Sequence, residues 1–382
     1  MTRPRILFYC QHLLGVGHIS RSLAICRALL DRFDVVFVQG GPDIGRTIVA
    51  PGFTHVFLPP LLMREHDSSL YDPAGERSVD EIWAARSEAL APLLSHSFAA
   101  VVVELYPFGR NKFKPEILDL IARARSANPA TRVYCSNRDI MVQKFDQAAR
   151  EAKIVRILKE YFDHVLVHSD PNLISMEDTF AATPEITDMI HYTGYVTDGS
   201  GPAGHPAREK RILVSLGGGA VGDELARACL SVADRFPDYA MHVLTGPYTS
   251  EAARKEMSVI AKQKPRVTVG GFSGDFRREL SRAALSISLA GYNTVMDILA
   301  TETPALVYPY MANREQSMRA KALEQRLLLG VIYEADLAPD PLAAKIRERL
   351  SAPPPSTSIN LSGARCTADI IAAHIAQASR NA

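Results

Sequence analysis

Short apolar runs alternate with helix-length amphipathic segments along this chain, stop at a stretch rich in glycine and proline, and then begin again. In the first half the runs fall at 6–10, 35–38, 54–58, 99–104, 132–135, 165–168 and 190–193. Between them, segment 20–32 places Leu23, Cys26, Leu29 and Leu30 on one helical face, and segments 82–94 and 117–125 behave alike. Apolar strands each followed by a helix predict parallel sheets covered on both faces. The interruption reads Thr197-Asp-Gly-Ser-Gly-Pro-Ala-Gly-His-Pro206, the composition of an interdomain linker. The pattern then resumes with a strand at 212–216, a glycine turn and a helix at 224–236. Further strands are expected at 240–245, 267–269, 285–289 and 305–308.

These segments predict an α/β chain of two Rossmann-like, parallel-sheet domains, 1–196 and 211–352, joined by a linker at 197–210. Pro353-Pro-Pro355 stops the chain before a last helix, about 364–382, expected to pack back on the first domain. Two such halves predict an interdomain cleft, with ligand at the carboxyl ends of the strands.

A formal charge of +1 argues against nucleic acid as the main partner, because phosphate binding leaves a basic surplus. Cys10, Cys26, Cys135, Cys229 and Cys366 are scattered, with no CxxC pair, which reads as reduced cysteines of a cytoplasmic protein and not as a zinc site. The first apolar run is broken by Gln11 and His12, too early for a secretory leader. No run approaches the ~20 apolar residues of a membrane span.

The first strand ends in Gln11-His-Leu-Leu-Gly15-Val-Gly17-His18, with a helix expected to open near Ser20. Glycines at a strand-to-helix turn let backbone approach a ligand. This turn lacks the third glycine and the acidic residue of a dinucleotide fingerprint, so a nicotinamide cofactor is not expected. His18 is the informative residue: the positive end of a helix disfavours its protonated form and keeps it available as a base. A histidine that merely caps the helix is the alternative. In the second half, Gly217-Gly218-Gly219 again stand between strand and helix, and bare amides there suit a diphosphate. No Walker Lys-Ser/Thr pair follows. Beyond it lie Gly291-Tyr-Asn293-Thr294-Val-Met-Asp297 and Asn313-Arg-Glu315-Gln316. Thr294 and Asp297 are one helical turn apart, and a carboxylate at that place suits the hydroxyls of a ribose.

These residues resemble glycosyltransferase family 28 and its relatives, including the MurG-type N-acetylglucosaminyltransferases, whose fold is the two-domain GT-B type. The resemblance runs from about 212 to 329 and covers the glycine turn, the turn at Gly291–Asp297, Pro309-Tyr310 and Glu315-Gln316. It implies that Asp297 holds the ribose, that Gln316 with Glu315 meets the donor sugar, and that Gly218 and Gly219 meet the diphosphate. Phe272 and Ser273 would lie against the base. Gly17, Gly291, Asn293 and Thr294 complete the donor set. The N-terminal half departs from the MurG-type Gly-Gly-His-x-x-Pro pattern. Its Gly-x-Gly-His-x-x-Arg resembles instead a UDP-sugar hydrolase of pseudaminic acid synthesis.

The expected function is therefore an inverting, metal-independent glycosyltransferase that moves a hexosyl group from a nucleotide-sugar, UDP-linked, to an acceptor. His18 is the base, Glu104 the carboxylate that orients it, and no cofactor or metal is needed, since no Asp-x-Asp motif is present. A loop charge or an acceptor contact is the other reading of Glu104. Arg110, with Lys112 and Lys114 among Tyr106, Phe108 and Phe113, suits an acidic or lipid-linked acceptor or peripheral membrane contact. Arg138 and Asp139 fall on the same side. The alternatives are a UDP-sugar hydrolase, in which water replaces the acceptor, and a non-catalytic nucleotide-sugar-binding protein.

Overall fold

A computed structural model describes the chain except residues 1–2, 14–16, 65, 142–145, 198–206, 218–220, 247–248, 272, 274, 311–312 and 382. The first strand, β1 (Arg5–Cys10), is buried from Ile6 onward. Its side chains alternate between faces, and the alternation sorts them into two cores. Leu7 and Tyr9 pack with Val101, Val103, Val133 and Val165, whereas Ile6, Phe8 and Cys10 pack with Val35, Phe37, Val102 and Leu166. Both faces of the sheet are thus covered, which is why its strands read as continuous apolar runs.

In chain order the first unit continues with α1 (Gly17–Leu29), β2 (Asp34–Gln39), β3 (Phe53–Phe57), the short antiparallel pair β4 (Leu62–Met63) and β5 (Leu70–Tyr71), and α2 (Val79–Leu90). Next come β6 (Ala100–Glu104), α3 (Lys114–Ala127), β7 (Arg132–Arg138), α4 (Gln147–Tyr161), β8 (His164–His168) and β9 (Ile190–Tyr192). Seven strands form one parallel sheet in the order β3-β2-β1-β6-β7-β8-β9.

Arg86, fully buried on α2, ties the carboxyl edge of this sheet together. Its guanidinium donates to both carboxylate oxygens of Glu116 on α3 (2.7 and 2.8 Å), to Gln11 after β1 and to the Gly40 carbonyl after β2. Removing either charged partner would strand the other in the core, at a cost of about 3–5 kcal/mol.

The second unit holds β10 (Glu209–Ser215), α5 (Asp223–Val232), β11 (Ala240–Leu244), α6 (Glu251–Lys262), β12 (Val267–Gly270), α7 (Phe276–Arg282) and β13 (Ala283–Leu289). It ends with α8 (Tyr292–Ala300), β14 (Ala305–Tyr308), α9 (Arg314–Glu324), β15 (Gly330–Val331) and α10 (Pro339–Ser351). Its parallel sheet runs β12-β11-β10-β13-β14-β15. The compact units are Met1–Val196 with Asn360–Ala382, and Thr197–Ile359. The last helix, α11 (Gly363–Asn381), belongs to the first unit, where Ala368 and Ile371 join the core beneath α1. Gly363 permits that return: a Cβ there would meet the Gly194 carbonyl oxygen at 2.3 Å.

Several bounds differ from the sequence reading. α1 begins at Gly17 and not near Ser20, because buried Ile19 starts the apolar stripe that continues through Leu23 and Cys26. The helix expected at 224–236 stops at Val232, and Ala233–Arg235 is a 3-10 turn. The stretch read as a linker to 210 ends sooner, since β10 starts at Glu209. Arg208 is fixed just before it, donating to the carbonyls of Leu280, Ser281 and Ala283 and to those of Thr301 and Glu302. A guanidinium suits these places because helix carboxyl ends leave carbonyls without intrahelical donors.

Candidate functional site

In the first sheet the chain builds outward from β1 on both sides, so β1 and β6 flank the point where strand order reverses. In open α/β sheets ligands bind at the carboxyl edge beside such a reversal. His18 is the second residue of α1, just after β1, and Glu104 is the last residue of β6. His18 Nδ1 lies 2.6 Å from Glu104 Oε1. Arg21, one turn further along α1, donates through Nη2 to the same oxygen at 2.5 Å and lies 3.4 Å from His18 Nδ1. Glu104 and Arg21 are buried, whereas the His18 side chain keeps 17% of its surface exposed.

Electrostatics decides what this group can do. Burial alone would raise the Glu104 pKa, but His18, Arg21 and Arg110 together outweigh it and hold the carboxyl well below its usual range. For His18, burial dominates and Arg110 and Arg21 add to it, against the opposing pull of Glu104; its pKa is pushed down to about 4. At neutral pH the pair is therefore a carboxylate accepting a proton-bearing Nδ1. That tautomer leaves the lone pair on Nε2. Arg21 is the residue sequence reasoning missed as a member of this group. Its signal was the three-residue spacing from His18, which puts both on one helix face.

The loop after β6 turns sharply, with Leu105 at φ 65° and Arg110 at φ 61°. Tyr106, Phe108 and Phe113 are buried in the core, so the aromatics expected to greet an acceptor do not face solvent. Burying three large rings outweighs any contact they could make outside. Arg110 is half-buried and its charge reaches both His18 and Glu104. Arg138 closes β7, the neighbour of β6, and Asp139 follows it, buried. Nearby, buried His168 bridges Ser136 Oγ (2.7 Å) and Thr193 Oγ1 (2.9 Å), satisfying both its ring nitrogens.

The second sheet reverses order at β10 and β13. Gly217 leaves β10 at φ 65°, a left-handed conformation that favours glycine. Gly218, Gly219 and Phe272 lie outside the described residues. Gly291 caps α8, whose first two turns carry Asn293, Thr294 and Asp297. Asp297 Oδ1 stands 3.6 Å from Arg277 Nε on α7. After β14, Asn313 caps α9 by accepting from the amides of Glu315 and Gln316. Gln316 Oε1 accepts the Tyr310 N–H at 3.0 Å. Ser273, beyond β12, accepts the Asp275 N–H. The described members of this set stand at carboxyl ends of strands or on the helices that follow them, the edge where such sheets bind ligands.

Residues 212–365 match the glycosyltransferase family 28 C-terminal domain. The match takes in most of the second unit and runs on into the start of α11. The chain is also 25% identical, over 199 residues, to a UDP-N-acetylglucosamine–N-acetylmuramyl-(pentapeptide) pyrophosphoryl-undecaprenol N-acetylglucosamine transferase of Prochlorococcus marinus (strain NATL1A). That alignment covers 50% of this chain and 54% of the relative, so the chain spans about half the length of the curated relative it matches. A transferase of the same description from Caldicellulosiruptor saccharolyticus is 26% identical over 138 residues, 35% of this chain and 37% of that one. Among solved structures, the glycosyltransferase of kitacinnamycin aligns over 100% of this chain and 99% of its own at TM-score 0.61 and 15% identity. The calicheamicin glycosyltransferase does so over 100% and 97%, at TM-score 0.61 and 16% identity. At these identities the likeness shows the fold: it is GT-B, as the family 28 resemblance implied.

Proposed function

We propose that this protein is an inverting, metal-independent glycosyltransferase that moves a hexosyl group from a UDP-sugar to an acceptor hydroxyl, with His18 as general base. The observation that carries the reading is the His18–Glu104 bond at 2.6 Å, with Arg21 on the same carboxylate oxygen. His18 Nε2 takes the proton of the acceptor hydroxyl. The freed oxygen attacks the anomeric carbon, and the bond from that carbon to the diphosphate oxygen breaks, its electron pair leaving with UDP. One displacement inverts the anomeric centre. Glu104 stabilises the imidazolium as it forms. No divalent ion is needed, because amides at Gly218 and Gly219 and the amino ends of α8 and α9 take up the charge of the leaving group.

Asp297 holds the ribose, Gln316 and Glu315 the sugar hydroxyls, and Phe272 and Ser273 the base. The second unit's match to the family 28 domain and the relatives' printed UDP-N-acetylglucosamine donor support this side. Those relatives' names also give an undecaprenol-linked acceptor, which supports an acidic, lipid-linked acceptor beside Arg110, Arg138 and Asp139 at the cytoplasmic membrane surface. Among the described residues, no helix is long and apolar enough to cross a membrane.

Hydrolysis is the second reading, favoured by the Arg21–Glu104 bond, since Arg21 completes the Gly-x-Gly-His-x-x-Arg pattern of the hydrolase. Product analysis separates the two. The protein is incubated with a panel of nucleotide-sugars, with and without lipid-linked or acidic glycan acceptors. Transfer predicts UDP release that needs an acceptor and a product of inverted anomeric configuration. Free sugar at full rate without acceptor would overturn it.

A further inference from the structure

At the other end of the first sheet three histidines converge. His164 opens β8, His191 lies in the edge strand β9, and His374 comes from α11. Each offers a ring nitrogen, and these atoms all lie within 4.8 Å of one another. His164 Nδ1 and His191 Nε2 are 3.1 Å apart, and the His164 and His374 rings stack at 4.0 Å between centroids. We propose that His164, His191 and His374 form a binding site for zinc or a similar d-block divalent cation, holding α11 against the sheet.

Two neutral imidazole lone pairs repel when they face each other at hydrogen-bond distance, so a proton or a cation must stand between them. A shared proton accounts for the His164–His191 pair, while stacking on His164 and the Tyr134 contact seat the third ring, His374. A tetrahedral ion would engage all three at once. With Zn–N bonds of ~2.0–2.1 Å, two ligand nitrogens stand about 3.3 Å apart, close to the 3.1 Å of His164 and His191. Tyr134 Oη, 3.2 Å from His374 Nδ1, can accept that nitrogen's proton and turn Nε2 toward the ion, the outer-shell contact that zinc histidines use.

Asp163 stays outside the ligand set, because its carboxylate is taken by Arg125, Arg132 and the Val133 N–H. The fourth position falls to water, and a surface cavity of about 650 Å³ lined by His164 and His374 gives the ion access. Since His164 opens its strand and His18 follows the carboxyl end of another, this site is structural and does not depend on the glycosyl-transfer reading. No spacing motif announces it, because its members come from two separated strands and the last helix.

The test uses the full chain stripped with a chelator and titrated with zinc by calorimetry, then with cobalt by visible absorption. Wild type should bind about one zinc per chain, gain thermal stability with it, and give the intense visible bands of tetrahedral cobalt. His191→Asn and His374→Asn should each weaken binding by more than the ~10–100-fold that outer-shell changes cost. His66→Asn, an exposed histidine elsewhere, should change nothing. If His374→Asn fails to fold, His191→Asn on the edge strand and the cobalt spectrum of the wild type decide the matter. Less than half an equivalent of zinc, octahedral cobalt bands, or unchanged affinity in His191→Asn would overturn the proposal.

Discussion

The two units present the same kind of edge and furnish it differently. In the first, the carboxyl edge carries a buried, pre-assembled charge group in which His18 and Arg21 both bond one oxygen of Glu104. In the second, the equivalent edge is built of glycine turns, helix amino ends and side chains held by local partners, such as Asp297 near Arg277 and Gln316 on the Tyr310 amide. On the proposed reading, the difference is what proton transfer and ligand holding each require. A base must be oriented and kept neutral before the reaction, so its surroundings are fixed and buried. A diphosphate is held by many modest donors, most of them backbone, which any sequence with the right turns supplies.

The sharpest way to break this comparison is His18→Ala. Turnover should fall by about 10²–10⁴, the range for a positioned acid–base group, while UDP affinity measured by calorimetry stays unchanged. The pH profile refines the point. Because the His18 pKa is depressed to about 4, the base form persists well below ~6.5, and kcat/KM should fall only as pH drops toward 4. The sign of the stability effect follows: between ~6.5 and 4 the unfolded chain binds the proton and the folded one does not, so stability declines as pH falls through that window. A rate decline centred near neutral pH would mean that water reaches His18 freely and that its burial is not part of its function.

Glu104→Gln comes next. An amide oxygen still accepts from Nδ1 but no longer offsets the imidazolium, so turnover should drop by about 10² or more, as when a triad carboxylate is neutralised. Full activity in a folded Glu104→Gln protein would reduce the carboxylate to a structural role.

On the second unit, Asp297→Ala should weaken nucleoside diphosphate binding by about 1–3 kcal/mol, the scale of a lost charged hydrogen bond, with little change in turnover at saturating donor. Equal calorimetric affinity would remove Asp297 from the ribose. The smallest effect is expected from magnesium or manganese added to chelated enzyme: no change in initial rate. Magnesium takes oxygen ligands, and the three-histidine cluster would not respond to it. Recovery of lost activity by magnesium would contradict a leaving group held by amides and helix ends alone.

How much was legible depends on distance along the chain. The strands at 6–10, 35–38 and 212–216 were readable because burial on both faces writes continuous apolar runs. His18 and Gly217 stood out because strand-to-helix turns are marked by local glycines. α4 also carries a helical stripe, Ile154, Ile157 and Leu158, that could have been read from its spacing. The fate of Tyr106, Phe108 and Phe113 could not, because nothing nearby in sequence says which side of the loop the core lies on.

By itself, then, the sequence determined the α/β class, the renewed β/α pattern after 197–206 and the glycine-marked strand-to-helix turns, since each follows from periodicity or from the backbone freedom of glycine. Only tertiary structure decided that Arg21 shares Glu104 with His18, that Arg86 locks the exits of β1 and β2, and that three histidines from β8, β9 and α11 meet. These are contacts between residues far apart along the chain. They depend on strand order and helix docking, which no local pattern of residue types encodes.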